Sequence, residues 1–490
     1  MLFPTTSFFF FFLCVFVGFW YVFRRSLDRR IFLIAASYVF YAFWDWRFCF
    51  LLLASTAANY GFGLLVGGNR DHVWRKTFMI LSVVFNVLVL GFFKYYTIFA
   101  ETSNGLLALH TSASFRLPVI YILLPVGISY FTFKCMSYVF DVYLCKMPPV
   151  RSFLDVMLYV SFFPQIASGP IVQASEFIPQ IDKAVSSGID PYEKPIEFDR
   201  ATLLILSGLI KKMVFANFIS TLLVDPVFSG LASAGPLAAL FAALGYAVVI
   251  YCDFSGYSDM AIGIALLLGF DTPANFNRPY VSFSVTEFWK RWHITFSSWL
   301  KNYLYFSMGG SRFGTIRTLF ALFFTMAIGG LWHGASVPFL VWGAMQGAAL
   351  AIERAFGYGN TRSPRLPVAI AQTAGSFLFV VVSWLVFRAR SLAEIGLFFR
   401  AVFPFLPGTQ SAVDTSSSTA STSFIFSPVV LILVFIGLAM HAVPGSVRGH
   451  LSQAYRLLPL PVKGVCIALV LALISVVSMS GVAPFIYFSF

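Results

Sequence analysis

Apolar stretches of about 20 residues, the length of a membrane-spanning helix, recur along almost the whole chain. Of the 490 residues, 59% are hydrophobic and 11% are charged, whereas a soluble domain has roughly 25% charged residues. A soluble chain of this length cannot bury so much apolar surface in one core, and lipid is the obvious solvent for it. The sequence therefore predicts an all-α, polytopic integral membrane protein.

The candidate spans predict roughly 11 to 13 crossings, with further re-entrant or interfacial helices. They lie at 7–23, 31–43, 48–67, 77–99, 119–140, 154–172, 201–224, 234–252, 255–270, 315–333, 336–353, 368–388, 424–442 and 463–480. The whole chain, 1–490, is predicted to form one membrane-embedded domain, with C-terminal helices from about residue 391 onward. A Ser/Thr-rich segment at 410–423 predicts a flexible exposed loop.

Charge and cysteine content narrow the possible classes of function. The net charge of +13 is compatible with nucleic-acid binding, but Lys and Arg also collect in cytoplasmic loops and near anionic lipid head groups. Because the membrane accounts for this charge more simply, we expect the lipid bilayer, and no nucleic acid, as its partner. The six cysteines are scattered without a CxxC pair, which predicts neither a disulfide framework nor a metal site.

Residues 275–312 are too polar for a comfortable span and too aromatic for a free loop. A helix from about Ser284 to Tyr303 would separate aromatic and polar residues onto opposite faces. The aromatic face holds Phe288, Trp292, Phe296 and Trp299, and the polar face holds Glu287, Lys290, Arg291, Ser297, Ser298 and Lys301. This pattern predicts an amphipathic helix in the membrane interface, with an ion pair between Glu287 and Arg291, four residues apart.

The basic residues of this segment allow two interpretations. An interfacial helix uses cations and tryptophans as anchors without any catalytic role. Alternatively, Lys290, Arg291 and Lys301 form a basic rim that binds the phosphates of an acyl-carrying nucleotide thioester or of a lipid. The pattern does not choose between them, and His293 lies on the flank between the two faces.

His333 ends an apolar segment that begins near Leu319, within the sequence GGLWHGA. A titratable side chain at membrane depth is costly and usually faces a protein cavity or a water-filled path. Gly329, Gly330 and Gly334 allow another backbone or a ligand to approach closely. Histidine is also the side chain most easily poised as a general base near neutral pH. We therefore predict a functional site at His333, with a structural histidine as the alternative.

The sequence YCDFSGYSDMA, at 251–261, places two carboxylates within or beside apolar residues. Asp253 and Asp259 are six residues apart and do not share a helix face. The residues between them predict a broken helix that lines a cavity. They are Ser255, Gly256, Tyr257 and Ser258. The alternative is a junction whose polar groups satisfy one another.

These features belong to stretches that together resemble the membrane-bound O-acyltransferase family. The resemblance is strongest to its bacterial branch, which contains the alginate O-acetylation membrane protein and the peptidoglycan O-acetyltransferases. The stretches are LPVGISYFTFKCMSYVFDVY (124–143), FFPQIASGPI (162–171), YCDFSGYSDMAIG (251–263), and EFWKRWH with GGLWHGAS (287–293 and 329–336). They occur in the family's order and define a family-like core at about 30–390.

The resemblance implies a multi-helix fold around a central tunnel. His333 would be the principal catalytic histidine at the narrow point of that tunnel, and His293 would be its companion. The residues expected to support these histidines or to line the tunnel are Trp332, Asp253, Ser255, Tyr257 and Asp259. His333 would take the proton from an attacking hydroxyl group, which makes its oxygen nucleophilic toward a thioester carbonyl.

The same resemblance implies an acyl donor carried as a thioester on the cytoplasmic side. Acetyl-CoA is the expected donor substrate, and no permanently bound cofactor is expected. The acetyl group would reach an extracytoplasmic polysaccharide or peptidoglycan through a separate periplasmic or secreted transferase. The chain is accordingly expected to be a multi-pass protein of the bacterial inner membrane.

Two other functions remain as alternatives. Within the same family, the chain could transfer D-alanine from a carrier protein toward teichoic acid. In a different class, it could be a transporter or flippase with His333 and Asp253 in a proton path. The second alternative predicts internal repeats, and the sequence contains none of fixed period.

Overall fold

The computed structural model describes residues 1–110, 116–185, 196–231, 234–359, 361–403 and 427–477. Every regular element in these ranges is a helix, which confirms the all-α prediction. The predicted loop at 410–423 lies outside the described residues. The chain forms two compact units, one of Met1–Ile196 with Ile264–Pro273 and one of Glu197–Gly263 with Ala274–Phe490.

The first unit contains eight described α-helices. They are α1 (Thr6–Val17), α2 (Ser26–Asp45), α3 (Arg47–Gly68), α4 (His72–His110), α5 (Ile128–Tyr143), α6 (Phe153–Ser161), α7 (Phe163–Ile166) and α8 (Ala174–Val185). A buried polar cluster joins α3 to α4: Asn86 Nδ2 donates to Asn59 Oδ1 at 2.7 Å, and Ser82 Oγ donates to the same oxygen at 2.9 Å. Because apolar helix faces alone tolerate sliding, this cluster fixes the register of the two helices.

The second unit contains the remaining described α-helices. They are α9 (Phe198–Ile210), α10 (Asn217–Ile219), α11 (Asp225–Ser229), α12 (Pro236–Leu267, whose last residues belong to the first unit), α13 (Val285–Arg291), α14 (Ile294–Trp299), α15 (Thr315–His333), α16 (Val337–Ala355), α17 (Leu366–Arg388), α18 (Leu392–Val402), α19 (Pro428–Ala439), α20 (Gly445–Leu457) and α21 (Leu460–Val477). The π-helical turns Lys211–Ala216 and Ser220–Val224 join α9, α10 and α11 into one rod. A further π-helical segment, Leu300–Tyr305, continues α14.

Six of the described helices are long and apolar enough to cross a membrane, by length and composition. They are Arg47–Gly68, His72–Leu107, Phe198–Ser229, Pro236–Leu267, Thr315–His333 and Leu366–Arg388. Three shorter apolar helices, Thr6–Val22, Pro428–Ala439 and Leu460–Ser475, accompany them. The chain is therefore a polytopic membrane protein, as its composition predicts.

Two predicted spans, 234–252 and 255–270, are one helix, so the predicted break between Asp253 and Asp259 is wrong. The physical reason is the role of Gly256. A Cβ there would lie 2.8 Å from the backbone oxygen of Gly208, so the glycine allows α9 to pack closely and does not interrupt α12. The predicted span 154–172 is not one continuous helix either. Its helical residues form the two short helices α6 and α7.

The predicted helix from Ser284 to Tyr303 is interrupted at His293, which has the left-handed backbone angles φ 41° and ψ 54°. Its aromatic face is also not directed to lipid. The side chains of this face are buried inside the protein, and they are Phe288, Trp292, Phe296 and Trp299. The prediction of a continuous helix is therefore wrong, and the aromatic face packs inside the protein.

Close contact between α15 and α16 fixes the end of α15, where His333 lies. A Cβ on Gly330 would lie 2.3 Å from the backbone oxygen of Phe339 and 2.8 Å from the Cα of Gly343. A Cβ on Gly343 would in turn lie 2.5 Å from the backbone oxygen of Met326. The two helix backbones thus touch where both residues lack side chains, which is the small-residue packing typical of membrane helices.

Candidate active site

His333 is the last residue of α15 and is only 5% exposed. Aromatic rings surround it. The rings of Trp342 and Phe387 meet it edge-on, each at a centroid distance of 5.2 Å. The ring of Phe296 lies 5.4 Å away. The helix end therefore places an imidazole in an aromatic pocket, where a low dielectric strengthens any interaction with a reacting group.

His293 occupies the break between α13 and α14 and is 1% exposed. Its ring is stacked on Phe296, with centroids 4.9 Å apart and planes inclined by 18°. Phe254 of α12 meets the ring edge-on at 4.6 Å. On the polar edge of the ring, Nδ1 lies 3.2 Å from Oδ1 of Asn275. The left-handed turn therefore directs this histidine inward, where a continuous helix would have placed it on the flank.

The structure brings the two predicted histidines together around Phe296 and Trp332. The ring of Trp332 lies 4.6 Å from Phe296, 4.9 Å from His333 and 6.5 Å from His293. We call these four residues the histidine cluster. Two imidazoles 40 positions apart in the sequence thus share the same two aromatic neighbours.

Burial sets the charge state of His293, which lies outside the candidate membrane-spanning helices. Desolvation lowers the pKa of its imidazole to about 3, because a buried cation loses its hydration. The ring is therefore neutral near pH 7. Its Nε2 is buried and has no hydrogen-bond partner among the residues that the structure describes. A neutral imidazole with an available nitrogen can accept a hydrogen bond or a proton.

One face of α16 supports both halves of the site. Trp342 packs edge-on against His333, and one turn later Gln346 Oε1 accepts a hydrogen bond from Trp289 Nε1 at 3.1 Å. Two turns beyond, the Glu353 carboxylate accepts from the first two backbone amides of α13, at 2.7 and 2.8 Å. This carboxylate satisfies donors that a helix N-terminus leaves free. Sequence reasoning missed this support, although the helical spacing of the three residues on α16 is a usable signal.

The two carboxylates of α12 are paired with consecutive lysines of the neighbouring rod. Lys212 Nζ and Asp253 Oδ1 form a buried ion pair. Lys211 Nζ lies 2.6 Å from Asp259 Oδ2. A buried charge is stable only when it is paired and hydrogen-bonded, so these pairs join α12 to the rod. The remaining predicted residues of this helix, Ser255 and Tyr257, are also buried.

Other residues of α12 contact the histidine cluster and its support. Phe254 contacts the ring of His293, and Ser258 Oγ accepts a hydrogen bond from Asn275 Nδ2 at 3.1 Å. Phe254 and Ser258 are four positions apart and therefore share a helix face. Sequence reasoning missed Phe254, and it placed Ser258 only among the residues of the predicted helix break. Asn275 was also missed, because nothing in the local pattern marks an amide that acts 18 residues further along the chain.

The three residues of the predicted basic rim differ in their exposure. The predicted ion pair along α13 is confirmed: Arg291 Nε donates to Glu287 Oε1 at 2.8 Å. Arg291 also donates to the backbone oxygen of Asn277 at 3.3 Å. Lys290 and Lys301 are exposed at the surface. Arg291 therefore helps to hold the segment, while the two lysines present charge outward.

Known proteins resemble this chain over most of its length. The model of the membrane-bound O-acyltransferase family matches residues 126–393, which include the histidine cluster. A protein of Pseudomonas aeruginosa named "Probable alginate O-acetylase" is 37% identical over 440 residues, covering 89% of this chain and 82% of that protein. The peptidoglycan O-acetyltransferase of Helicobacter pylori is 33% identical over 423 residues, covering 80% of this chain and 78% of that protein.

A more distant relative corresponds to one of the alternative functions. The teichoic acid D-alanyltransferase of Bacillus subtilis is 26% identical over 277 residues, covering 54% of this chain and 68% of that protein. The transporter alternative has no counterpart among these relatives. The family match spans more than half of the chain and coincides with the site built around two buried histidines. The chain therefore belongs to the membrane-bound O-acyltransferase family and is a multi-pass membrane O-acyltransferase.

Proposed function

We propose that the chain transfers an acetyl group from a thioester to a hydroxyl group, with His333 as the general base. The observation that carries this proposal is the meeting of His333 and His293 at Phe296 and Trp332, in a member of an acyl-transferring family. A base must lie where a hydroxyl group and a thioester carbonyl can meet. The end of α15 supports this proposal because it places one imidazole close to a second, neutral imidazole.

In the proposed reaction, a ring nitrogen of His333 accepts the proton of the hydroxyl group as its oxygen attacks the thioester carbon. A carbon–oxygen bond forms, and the tetrahedral intermediate then collapses as the carbon–sulfur bond breaks. The bonding electron pair leaves with sulfur, and His333 returns its proton to the thiolate. The products are an acetyl ester and a free thiol. General-base assistance of this kind contributes about 10²–10⁴-fold in rate.

Acetyl-CoA is the donor that we propose, used as a substrate and not as a resident cofactor. Lys290 and Lys301 are exposed on the segment that carries His293. Two lysines on this segment can bind the phosphates of a nucleotide thioester as point charges. Arg291 is engaged with Glu287 and so contributes to this rim by holding α13 in place.

The acceptor pathway that we propose ends on an extracytoplasmic polysaccharide or peptidoglycan. The relatives named above for alginate and for peptidoglycan support this choice. We propose the bacterial inner membrane as the location and a separate periplasmic or secreted transferase as the partner that esterifies the polymer. Transfer of D-alanine from a carrier protein ranks second, because the relative of that name is less similar and covers less of the chain.

The central experiment compares the chain with its His333→Gln variant in a bacterial host that lacks its own O-acetylation system, with the cognate partner supplied. Membrane levels are equalised, and base-labile acetyl and D-alanyl esters are measured on secreted polysaccharide and cell wall. We expect the variant to lose at least about 100-fold of the acetyl ester. His450→Gln, which alters an exposed histidine, is the matched control. Full acetylation by His333→Gln refutes the proposed base, and D-alanyl ester in place of acetyl ester supports the second function.

A second experiment examines the donor rim. Lys290→Glu is expected to raise the acetyl-CoA concentration that gives half-maximal transfer, without lowering the maximal rate. Lys76→Glu makes the same charge change at an exposed lysine near the start of α4 and is the control. If both variants need the same acetyl-CoA concentration for half-maximal transfer, Lys290 does not bind the donor. The proposed role of His333 does not depend on this result.

A further inference from the structure

The side-chain oxygen of Asn275 is the meeting point of three groups from the turn at His293. The backbone N–H of Thr295 reaches this oxygen at 3.2 Å, the hydroxyl of Thr295 at 2.9 Å, and Nδ1 of His293 at 3.2 Å. The other end of the amide, Nδ2, donates to Ser258 Oγ at 3.1 Å. Asn275 is 1% exposed, so these contacts form in the absence of bulk solvent. The oxygen of the amide therefore contacts the turn, and its nitrogen binds α12.

This network decides which way the amide points and which nitrogen of His293 carries the proton. A backbone N–H can only donate, so the atom of Asn275 that faces Thr295 must be the oxygen. An amide oxygen can only accept, so Nδ1 of His293 must be the donor in its own contact with that oxygen. In a neutral imidazole only one nitrogen carries hydrogen. The Nε2 atom is then an unprotonated acceptor.

The backbone around His293 supports the same arrangement. A left-handed conformation is costly for a residue with a side chain and persists only where its surroundings enforce it. Here the backbone N–H of Ile294 donates to the backbone oxygen of Asn275 at 2.9 Å, and that of Asn277 donates to the oxygen of Arg291 at 2.9 Å. The segment that contains Asn275 thus pairs with both sides of the turn and holds the imidazole in one orientation.

The remaining edge of the imidazole is the part available to a substrate. Phe296 is stacked on the ring and Phe254 meets it edge-on, while Asn275 occupies Nδ1. Nε2 is buried and has no hydrogen-bond partner among the described residues. Nε2 therefore gains a hydrogen-bond partner when a molecule with a donor group binds beside it.

We propose that Asn275 is a positioning residue that holds His293 in the tautomer with hydrogen on Nδ1, so that Nε2 accepts a hydrogen bond from a donor group of a bound substrate. The inference rests on the proposed function for the identity of the reaction. The assignment of the tautomer rests only on the hydrogen bonds of Asn275. One consequence is specific. In this form His293 cannot donate from Nε2 to the oxyanion that develops on the thioester carbonyl, so its role differs from that of an oxyanion-stabilising donor.

The test is a ¹⁵N spectrum of the full chain, labelled at histidine and reconstituted in lipid nanodiscs. The chain has six histidines, and the difference between the parent and His293→Gln identifies the resonances of His293. We expect a protonated, pyrrole-type Nδ1 and an unprotonated, pyridine-type Nε2. The opposite assignment, with hydrogen on Nε2, overturns the inference even if no Asn275 variant can be produced.

Three variants test the role of Asn275. Asn275→Leu removes the acceptor at similar size and is expected to mix the two tautomers. It should also lower kcat for acetyl transfer about 10- to 100-fold while donor KM changes less than about two-fold, as misplacement of a reacting group does. Asn275→Asp keeps an oxygen at the same place and should restore the parent tautomer. Asn277→Leu makes the same change at an exposed asparagine two positions along; as the matched control it should keep the parent tautomer and the parent kcat.

The two proposals fail separately. If His333→Gln transfers acetyl groups like the parent, the proposed function fails, whereas the tautomer of His293 is still measured directly. If Asn275→Leu keeps the parent tautomer and the parent kcat, Asn275 is not the positioning residue, whereas the result for His333 stands.

Discussion

The ring of His293 is stacked on the ring of Phe296 at 4.9 Å, and the same phenylalanine lies 5.4 Å from His333. One side chain therefore contacts both histidines that the proposed reaction uses. Phe296 is fully buried, and it comes from α14, immediately after the left-handed turn. The spacing of the two imidazoles depends on this ring, so its removal should affect them together.

Phe296→Ala is expected to reduce both stability and acetyl transfer. A buried phenylalanine replaced by alanine costs about 3–5 kcal/mol of folding stability, because a cavity remains in the core. The loss of a shared wall should also lower transfer more than the stability loss alone explains. Thermal unfolding in detergent and ester formation in membranes measure the two effects. Phe320→Ala makes the same change at an exposed position on α15, and an equal loss in this control would contradict a special role for Phe296.

Gly330→Ala is expected to impair the site through the packing of α15 against α16. The added methyl group would meet the backbone of Phe339 at 2.3 Å, and backbone cannot move aside as a side-chain end can. The helices must separate, and His333 on α15 would then move away from Trp342 on α16. Gly375→Ala on α17 places its methyl group in open space and should leave ester formation at the parent level. Equal ester formation by both alanine variants, at matched membrane levels, would show that this close packing does not hold the site.

Composition and motifs predicted the helical membrane fold and singled out His333. Both predictions use local properties of the sequence, namely its apolar content and a titratable side chain within an apolar segment, where burial is energetically costly. The break at His293 could not be predicted in this way. A helical projection assumes continuous backbone, and the left-handed turn depends on Asn275, which lies 18 positions earlier. The continuity of α12 was missed for a related reason. Gly256 was interpreted as a helix break, whereas its partner Gly208 lies on a helix remote in sequence.

The buried ion pair between Lys212 and Asp253 is expected to stabilise the fold and not to take part in proton transfer. Removal of one partner, as in Lys212→Met, takes the countercharge from a buried carboxylate and costs about 3–5 kcal/mol. The double variant Lys212→Met with Asp253→Leu removes both charges and should recover most of the stability. We expect it to recover ester formation as well. A double variant that folds normally but forms no ester would instead assign Asp253 a direct part in the reaction.

The stability of the parent chain should fall more steeply on acidification than that of His293→Gln. Burial lowers the pKa of His293 to about 3 in the folded protein, while the unfolded value is about 6.5. Since the folded form binds a proton less readily, its advantage is complete above about pH 6.5 and is lost as the pH falls from there toward 3. Between pH 7 and pH 5 this one group should remove about 1–2 kcal/mol of folding stability.

Unfolding midpoints of the parent and of His293→Gln, measured at pH 7 and pH 5 in the same detergent, determine this difference. His450→Gln controls for the loss of one exposed histidine. Parallel pH dependence in the parent and in His293→Gln would mean that His293 accepts a proton in the folded protein as easily as in the unfolded chain. That result contradicts a dry, neutral imidazole at the turn. A steeper fall in the parent supports the neutral form on which the acceptor role of Nε2 depends.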